Sequence, residues 1–144
     1  MVKVVSCYCL CGIPGSGKTT LSKQLVEQHN AKLYCYDSLP NANHPKYHEV
    51  VHAQMWTDIV KDLRNGYNVV CDDLHTKREW RENVLNALAD VECQKILVVM
   101  TTPLGECLKR NVNRAARLPD FVLYDLHEKY ESPTLDEGWD EILY

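Results

Sequence analysis

Short apolar runs alternate along the chain with longer stretches whose apolar residues recur at three- and four-residue spacing. The short runs predict strands over Val2–Cys11, Lys32–Tyr36, Asn68–Cys71, Lys95–Met100 and Glu141–Tyr144. The periodic stretches predict helices over Lys18–Gln28, Tyr47–Leu63, Arg78–Leu88, Pro103–Val112 and Asp120–Tyr130. Strands separated by helices of this length indicate an α/β fold, a parallel sheet of about five strands with helices on both faces.

The composition is that of one globular domain, so residues 1–144 are expected to form a single unit. Hydrophobic residues make up 45% of the 144 residues and charged residues 25%, which excludes disordered and fibrous proteins. The net charge of −4 argues against a protein that mainly coats nucleic acid or an anionic membrane, although it leaves room for a local basic patch. No apolar run approaches the roughly 20 residues that cross a bilayer, so no membrane association is expected.

The seven cysteines are predicted to be reduced thiols. Cys7, Cys9 and Cys11 alternate along the first predicted strand, where neighbours at i and i+2 are poorly placed to form a disulfide. No C-x-x-C pair is present. Thiols packed as small apolar side chains are typical of a reducing, cytoplasmic compartment.

The strongest motif is Gly12–Thr19, a complete G-x-x-x-x-G-K-[ST] phosphate loop between a predicted strand and a predicted helix. Its glycines let the backbone turn so that successive N–H groups point at phosphate oxygens, and the following helix adds the positive end of its dipole. Lys18 is predicted to reach the β- and γ-phosphates, and the Thr19 hydroxyl to bind Mg²⁺. The predicted nucleotide-binding residues of this loop are Gly12, Pro14, Gly15, Ser16, Gly17, Lys18, Thr19 and Thr20.

Acidic residues follow two of the predicted strands, at the sheet edge where ligands of parallel sheets gather. Asp37 follows the second strand and is predicted to be a general base that orients a hydroxyl and accepts its proton. Asp72 and Asp73 follow the third strand, and at least one of them is expected to support the metal or the nucleophile, with Asp72 acting through water. Capping of a helix or turn is the alternative role for each of these residues.

A cluster of cations lies near the predicted C-terminus of the fourth helix. Arg110, Arg114 and Arg117 recur at three- and four-residue spacing. Arg110 and Arg114 are predicted to bind the nucleotide, and Arg114 to stabilise the charge that develops during transfer. Residues 110–119 would then form a lid. The helix dipole alone also favours cations at this position, so this structural explanation remains open.

Three histidines, His44, His48 and His52, recur at four-residue spacing. Two of them could share a metal on a helix, but no third ligand is evident. The favoured interpretation is a partly exposed stripe near the acceptor pocket.

Several of these sequence segments also resemble those of a known protein family. The segments Gly12–Thr20, Tyr36–Ser38, Val69–Asp73, Lys109–Arg114 and Leu118–Trp139 resemble the kinase domain of polynucleotide 5′-hydroxyl kinases, and seryl-tRNA kinases share much of the pattern. The resemblance implies a P-loop kinase fold with ATP and Mg²⁺. It also implies that Asp37 is the general base and Arg114 the lid arginine.

The chain departs from that pattern on the acceptor side. Polynucleotide kinases usually carry arginines at the positions of Tyr36 and Pro40, where they help to hold the acceptor phosphate, and a Thr-Asn pair at Leu74 and His75.

The expected activity is transfer of the γ-phosphate of ATP to a hydroxyl, with a polynucleotide 5′-hydroxyl as the favoured acceptor. A small molecule such as a nucleoside or nucleotide and a tRNA are the alternative acceptors. An NTP-dependent switch or ATPase without an acceptor is the alternative of another class.

Overall fold

Five parallel strands form one sheet in the computed structural model, which describes residues 4–144. The strands are β1 (Val5–Cys11), β2 (Lys32–Cys35), β3 (Val69–Asp72), β4 (Cys93–Val99) and β5 (Glu141–Leu143). Their order across the sheet is β2-β3-β1-β4-β5, and each neighbouring pair is parallel. The predicted α/β class is confirmed.

Five α-helices connect or follow the strands. They are α1 (Lys18–His29), α2 (His48–Arg64), α3 (Arg78–Ala87), α4 (Leu104–Val112) and α5 (Asp120–Glu128), with short 3-10 turns at Tyr36–Ser38 and Leu135–Glu137. Between Val4 and Tyr144, no helix has both the length and the apolar content that a membrane span requires.

The two faces of the sheet bury different residues because strand side chains alternate. On one face, Cys7 and Cys9 of β1 pack with α2 and α3 through residues such as Ile59 and Val84. On the other face, Leu10 of β1 packs against the apolar side of α1. A smaller cluster joins Ile13, Cys107 and Leu123 and attaches α4 and α5 to the loop after β1. Helices therefore cover both faces of the sheet, as predicted.

The seven cysteines are free thiols, and those of β1 and β3 are fully buried. The Sγ atoms of Cys7 and Cys9 lie 4.0 Å apart on the same face. This contact and burial together raise the pKa of Cys9, and burial followed by the charge of Asp73 raises the pKa of Cys71. The thiols of Cys9 and Cys71 are therefore held in the protonated form.

Most element ends lie within one residue of the predicted positions. β1 begins at Val5, whereas the predicted strand began at Val2, which lies outside the described residues. β4 begins two residues early, at Cys93, because that residue pairs with Val5. α5 ends at Glu128, two residues before the predicted end at Tyr130.

The connections after β1 and β3 leave the sheet towards opposite faces. α1 follows β1 and packs on one face, whereas α3 follows the neighbouring strand β3 and packs on the other. This divergence opens a crevice at the carboxyl ends of these two strands, the usual location of a ligand site in an open parallel sheet.

Candidate active site

The phosphate loop occupies the turn between β1 and α1. Gly15 and Gly17 have φ angles of +84° and +94°, a left-handed conformation that glycine adopts without steric cost. A Cβ at Gly15 would lie 2.7 Å from the carbonyl oxygen of Cys107. Both the backbone conformation and the close approach of α4 therefore require glycine at this position.

Two polar side chains of the loop, Ser16 and Lys18, are buried with few protein partners. Lys18 is 8% exposed, and its Nζ donates a hydrogen bond to the carbonyl oxygen of Ile13 at 3.1 Å. Burial lowers the pKa of Lys18, although the carboxylates of Asp72, Asp73 and Asp37 oppose that effect. The Ser16 hydroxyl is buried and has no hydrogen-bond partner within residues 4–144. A bound phosphate would supply the acceptor oxygens that these donors lack, so the loop fits a nucleotide.

Asp72 and Thr19 meet beside this loop. Thr19 Oγ1 donates to Asp72 Oδ2 at 3.4 Å, and Ser22 Oγ lies 3.5 Å from the same oxygen. Burial raises the pKa of Asp72, while Lys18 and the Thr19 hydrogen bond oppose the shift. A hydroxyl and a carboxylate are the oxygen ligands that Mg²⁺ takes together with substrate phosphates. The described part of the chain has no cluster of three or more His, Cys, Asp or Glu side chains that could hold a metal without such help.

One cavity of about 820 Å³ contains both the phosphate loop and Asp37. Asp37 lies on the 3-10 turn after β2 and is exposed. The predicted site residues that line the cavity are Pro14, Gly15, Ser16, Gly17, Lys18, Thr19, Thr20, Asp37, Asp72, Arg110 and Arg114. Gly12 lies at the start of the loop and donates its N–H to the carbonyl oxygen of Leu74 at 2.9 Å.

The three candidate arginines differ in their surroundings. Arg110 lies on α4, where one guanidinium N–H donates to the carbonyl oxygen of Gly15 at 3.2 Å and its Nε to Glu106 at 3.3 Å. Arg114 follows the end of α4, is exposed and lines the cavity. Arg117 lies 3.7 Å from Asp120 and is not among the residues that line the cavity. The structure therefore brings Arg110 and Arg114, but not Arg117, to the phosphate loop.

A second cavity of about 550 Å³ adjoins the first and shares Asp73 and Leu74 with it. Its lining is formed by the start of α2, the loop after β3 and α3, with Tyr36, His48, Glu49, His52, Ala53, Asp73, Leu74, His75, Trp80, Asn83 and Val84. Two of the three histidines of the predicted stripe, His48 and His52, therefore line this cavity.

Asp73 lies where the two cavities meet. Its Oδ2 is 3.7 Å from His52 Nε2, and its Oδ1 accepts a hydrogen bond from the N–H of Leu74 at 2.8 Å. Burial alone would raise the pKa of Asp73, but the His52 contact and the Leu74 hydrogen bond hold it below its ordinary value. Asp73 is therefore ionised at neutral pH.

His75 forms part of the second cavity and was not identified as a site residue from the sequence. It is 3% exposed and has a φ of +49°, a strained value for a residue with a side chain. Its Nδ1 lies 2.6 Å from the carbonyl oxygen of Leu10, so Nδ1 carries the proton. Nε2 is buried and has no partner among the described residues. The one sequence signal for this position is that Leu74 and His75 stand where polynucleotide kinases usually carry a Thr-Asn pair.

A buried ion pair holds the loop that carries His75. Arg81 of α3 is fully buried and donates to both carboxylate oxygens of Glu137, at 2.8 and 3.0 Å. A further guanidinium N–H of Arg81 donates to the carbonyl oxygen of His75 at 3.0 Å. Trp139 Nε1 also donates to Glu137 at 3.1 Å. The segment before β5 is thereby connected to the loop after β3.

Comparisons with known proteins show which proteins this chain is similar to. A family model described as an AAA domain matches residues 8–133. An L-seryl-tRNA(Sec) kinase from Methanococcus maripaludis is 25% identical over 139 residues, which cover 91% of this chain and 54% of that protein. The chain spans about half the length of the curated relatives it matches.

Two solved structures share the fold. A chain of the Pnkp1/Rnl/Hen1 RNA repair complex superposes with a TM-score of 0.79 at 18% identity, covering 90% of this chain and 45% of that chain. Kti12 from Chaetomium thermophilum, solved with ADP-AlF3, has a TM-score of 0.71 at 18% identity and covers 96% and 88%. The chain belongs to the AAA-domain family matched over residues 8–133 and has the fold of the P-loop kinases.

Proposed function

We propose that the chain is an ATP-dependent phosphotransferase that moves the γ-phosphoryl group to an alcohol hydroxyl. The observation that carries this proposal is the single cavity that contains both the phosphate loop and the Asp37 carboxylate. A kinase needs a carboxylate beside the acceptor site to orient the hydroxyl and accept its proton, whereas a nucleotide switch has no acceptor and does not need one.

On the donor side, the loop N–H groups and Lys18 would bind the β- and γ-phosphates. Arg110 and Arg114 would neutralise charge on the transferring group, and residues 110–119 would close over it as a lid. Thr19 and Asp72, the latter through water, would hold Mg²⁺, which when bound neutralises phosphate charge.

On the acceptor side, Asp37 would accept the hydroxyl proton as the alcohol oxygen forms its bond to the γ-phosphorus. The bond from that phosphorus to the bridging oxygen breaks, and ADP leaves. Asp37 is exposed and lines the cavity, so an acceptor can reach it from solvent.

There are three candidate acceptors. A polynucleotide 5′-hydroxyl, favoured by the family motifs, stays a prediction, and the fold shared with a chain of an RNA repair complex supports it. A small alcohol is favoured by Tyr36 and Pro40, which stand where an acceptor phosphate would need arginines. A tRNA is the third candidate, because one relative is named as an L-seryl-tRNA(Sec) kinase.

The direct test is incubation with γ-labelled ATP, Mg²⁺ and a panel of 5′-hydroxyl oligonucleotides, nucleosides, polyols and tRNA. Asp37→Asn is expected to abolish transfer while leaving ATP binding intact. Asp90→Asn, which changes an exposed aspartate beyond α3, is the matched control. Unchanged transfer by Asp37→Asn would refute its role as base. ATP turnover with no labelled product from any acceptor would favour a switch or ATPase.

The free thiols also support a location in a reducing compartment, which we propose to be the cytoplasm.

A further inference from the structure

We propose that the second cavity binds the body of the acceptor and selects a small alcohol that carries further hydrogen-bond donors and no phosphate beside the reacting hydroxyl. This inference rests on the proposed phosphotransferase activity and specifies the chemical class of its acceptor.

The two cavities adjoin each other, as a donor site and an acceptor site must. Asp73 and Leu74 line both of them. Tyr36 lines the second cavity, whereas its chain neighbour Asp37 lines the first. A molecule bound in the second cavity would therefore lie beside the cavity that contains the proposed base.

The charge of the second cavity opposes a phosphate. No lysine or arginine is among its lining residues, and two of those residues are the carboxylates Glu49 and Asp73. Lys77, the cation that precedes α3, lies over the ring of Trp80 at 4.8 Å and does not line the cavity. An anionic ligand would face these two carboxylates with no lysine or arginine among the lining residues, so the cavity disfavours a phosphate.

Three polar groups that line the cavity are hydrogen-bond acceptors. Asp73 and Glu49 accept hydrogen bonds when ionised, and Nε2 of His75 is the acceptor of its neutral ring. Burial lowers the pKa of His75, although the charge of Asp73 opposes that effect, so the ring stays neutral. Because Nε2 is buried without a partner within residues 4–144, a hydroxyl or ammonium at the inner wall would satisfy it.

The remaining lining suits a compact organic molecule. Trp80 is half-buried and offers an apolar surface together with Val84, while Asn83 supplies an amide. A volume of about 550 Å³ is that of a small-molecule site. Hydroxyl-rich and ammonium-bearing alcohols share the required chemistry, and the test separates them.

The experiment measures kcat/KM with ATP for matched acceptors: a polyol, an amino alcohol, a nucleoside, the same nucleoside as its 3′-phosphate, and a 5′-hydroxyl oligonucleotide. The phosphate-free acceptors are expected to exceed their phosphate-bearing counterparts by at least about tenfold. Whichever of the polyol and the amino alcohol is preferred identifies the donor group. A preference for the 3′-phosphate or the oligonucleotide would overturn the inference while leaving the phosphotransferase standing, whereas transfer to no acceptor would instead refute the proposed function.

Two variants link the preference to this cavity. Glu49→Lys reverses the charge of an exposed lining residue and is expected to reduce the preference for phosphate-free acceptors by about tenfold. The matched control is Glu27→Lys on α1, across the sheet, which is expected to leave the preference unchanged. His75→Asn keeps a side chain that tolerates a positive φ, and it is expected to raise the acceptor KM severalfold with little change in kcat. Equal preference in Glu49→Lys and the unaltered protein would overturn the assignment of this cavity.

Discussion

Replacing Glu137 by glutamine tests how strongly the buried ion pair with Arg81 stabilises the fold. The substitution preserves the shape of the side chain but leaves the Arg81 guanidinium buried without a counter-charge. In the native protein the two side chains are 0% and 1% exposed and are joined by two hydrogen bonds. Breaking such a pair by removing one charge costs about 3–5 kcal/mol. This is a large share of the roughly 5–15 kcal/mol that stabilises a typical domain.

The measurement is urea unfolding followed by circular dichroism, with the free energy of unfolding compared between Glu137→Gln and the unaltered protein. A double variant, Arg81→Met with Glu137→Leu, removes both charges and is expected to recover most of the loss, because no unpaired charge stays buried. The exposed pair of Lys129 and Asp125 offers a control, since Asp125→Asn should cost less than about 1 kcal/mol. A loss below about 1 kcal/mol for Glu137→Gln would refute the reasoning.

Three further outcomes follow from the site and from this pair. Lys18→Ala should abolish nucleotide-dependent activity, as measured by ATP binding and by transfer, because Lys18 supplies the buried ammonium of the phosphate loop. Arg114→Ala should lower kcat by more than it weakens ATP binding, and the reverse result would make Arg114 a ground-state binding residue only. Burial alone would raise the pKa of Glu137, but its hydrogen bonds with Arg81 hold that pKa below the ordinary value of 4.5. The stabilisation that the ionised Glu137 gives to the fold should therefore be complete above pH 4.5 and be lost as the pH falls through the lower pKa of the folded state. The double variant should lack that part of the pH dependence in acid unfolding curves.

Local chemistry was predictable from the sequence because each part depends on neighbouring residues. The phosphate loop is read from Gly12–Thr19 alone, and strand and helix periods gave the order of elements. The topology of parallel sheets then placed Asp37 and Asp72 at one edge, and the structure brings both to the same cavity. Their catalytic and metal-binding roles stay predictions.

Long-range features were not predictable in the same way. Arg81 falls in the helix predicted over Arg78–Leu88, and nothing in the neighbouring sequence shows that its charge is buried against a residue 56 positions away. Asp73 lies where the two cavities meet, and this position depends on the packing of α2 beside β3. The periodicity of the sequence does not specify that packing. The position of His75 was visible only as a departure from a motif.

The buried thiols of the central strands give this protein a built-in reporter. A thiol-trapping reagent can reach Cys7, Cys9 or Cys71 only when the sheet opens, because each of these side chains is fully buried in the closed fold. The trapping rate therefore samples the opening equilibrium. Any compound that binds the closed form shifts this equilibrium by mass action and slows the trapping. Candidate acceptors can thus be ranked by protection of these cysteines, with no knowledge of the reaction product.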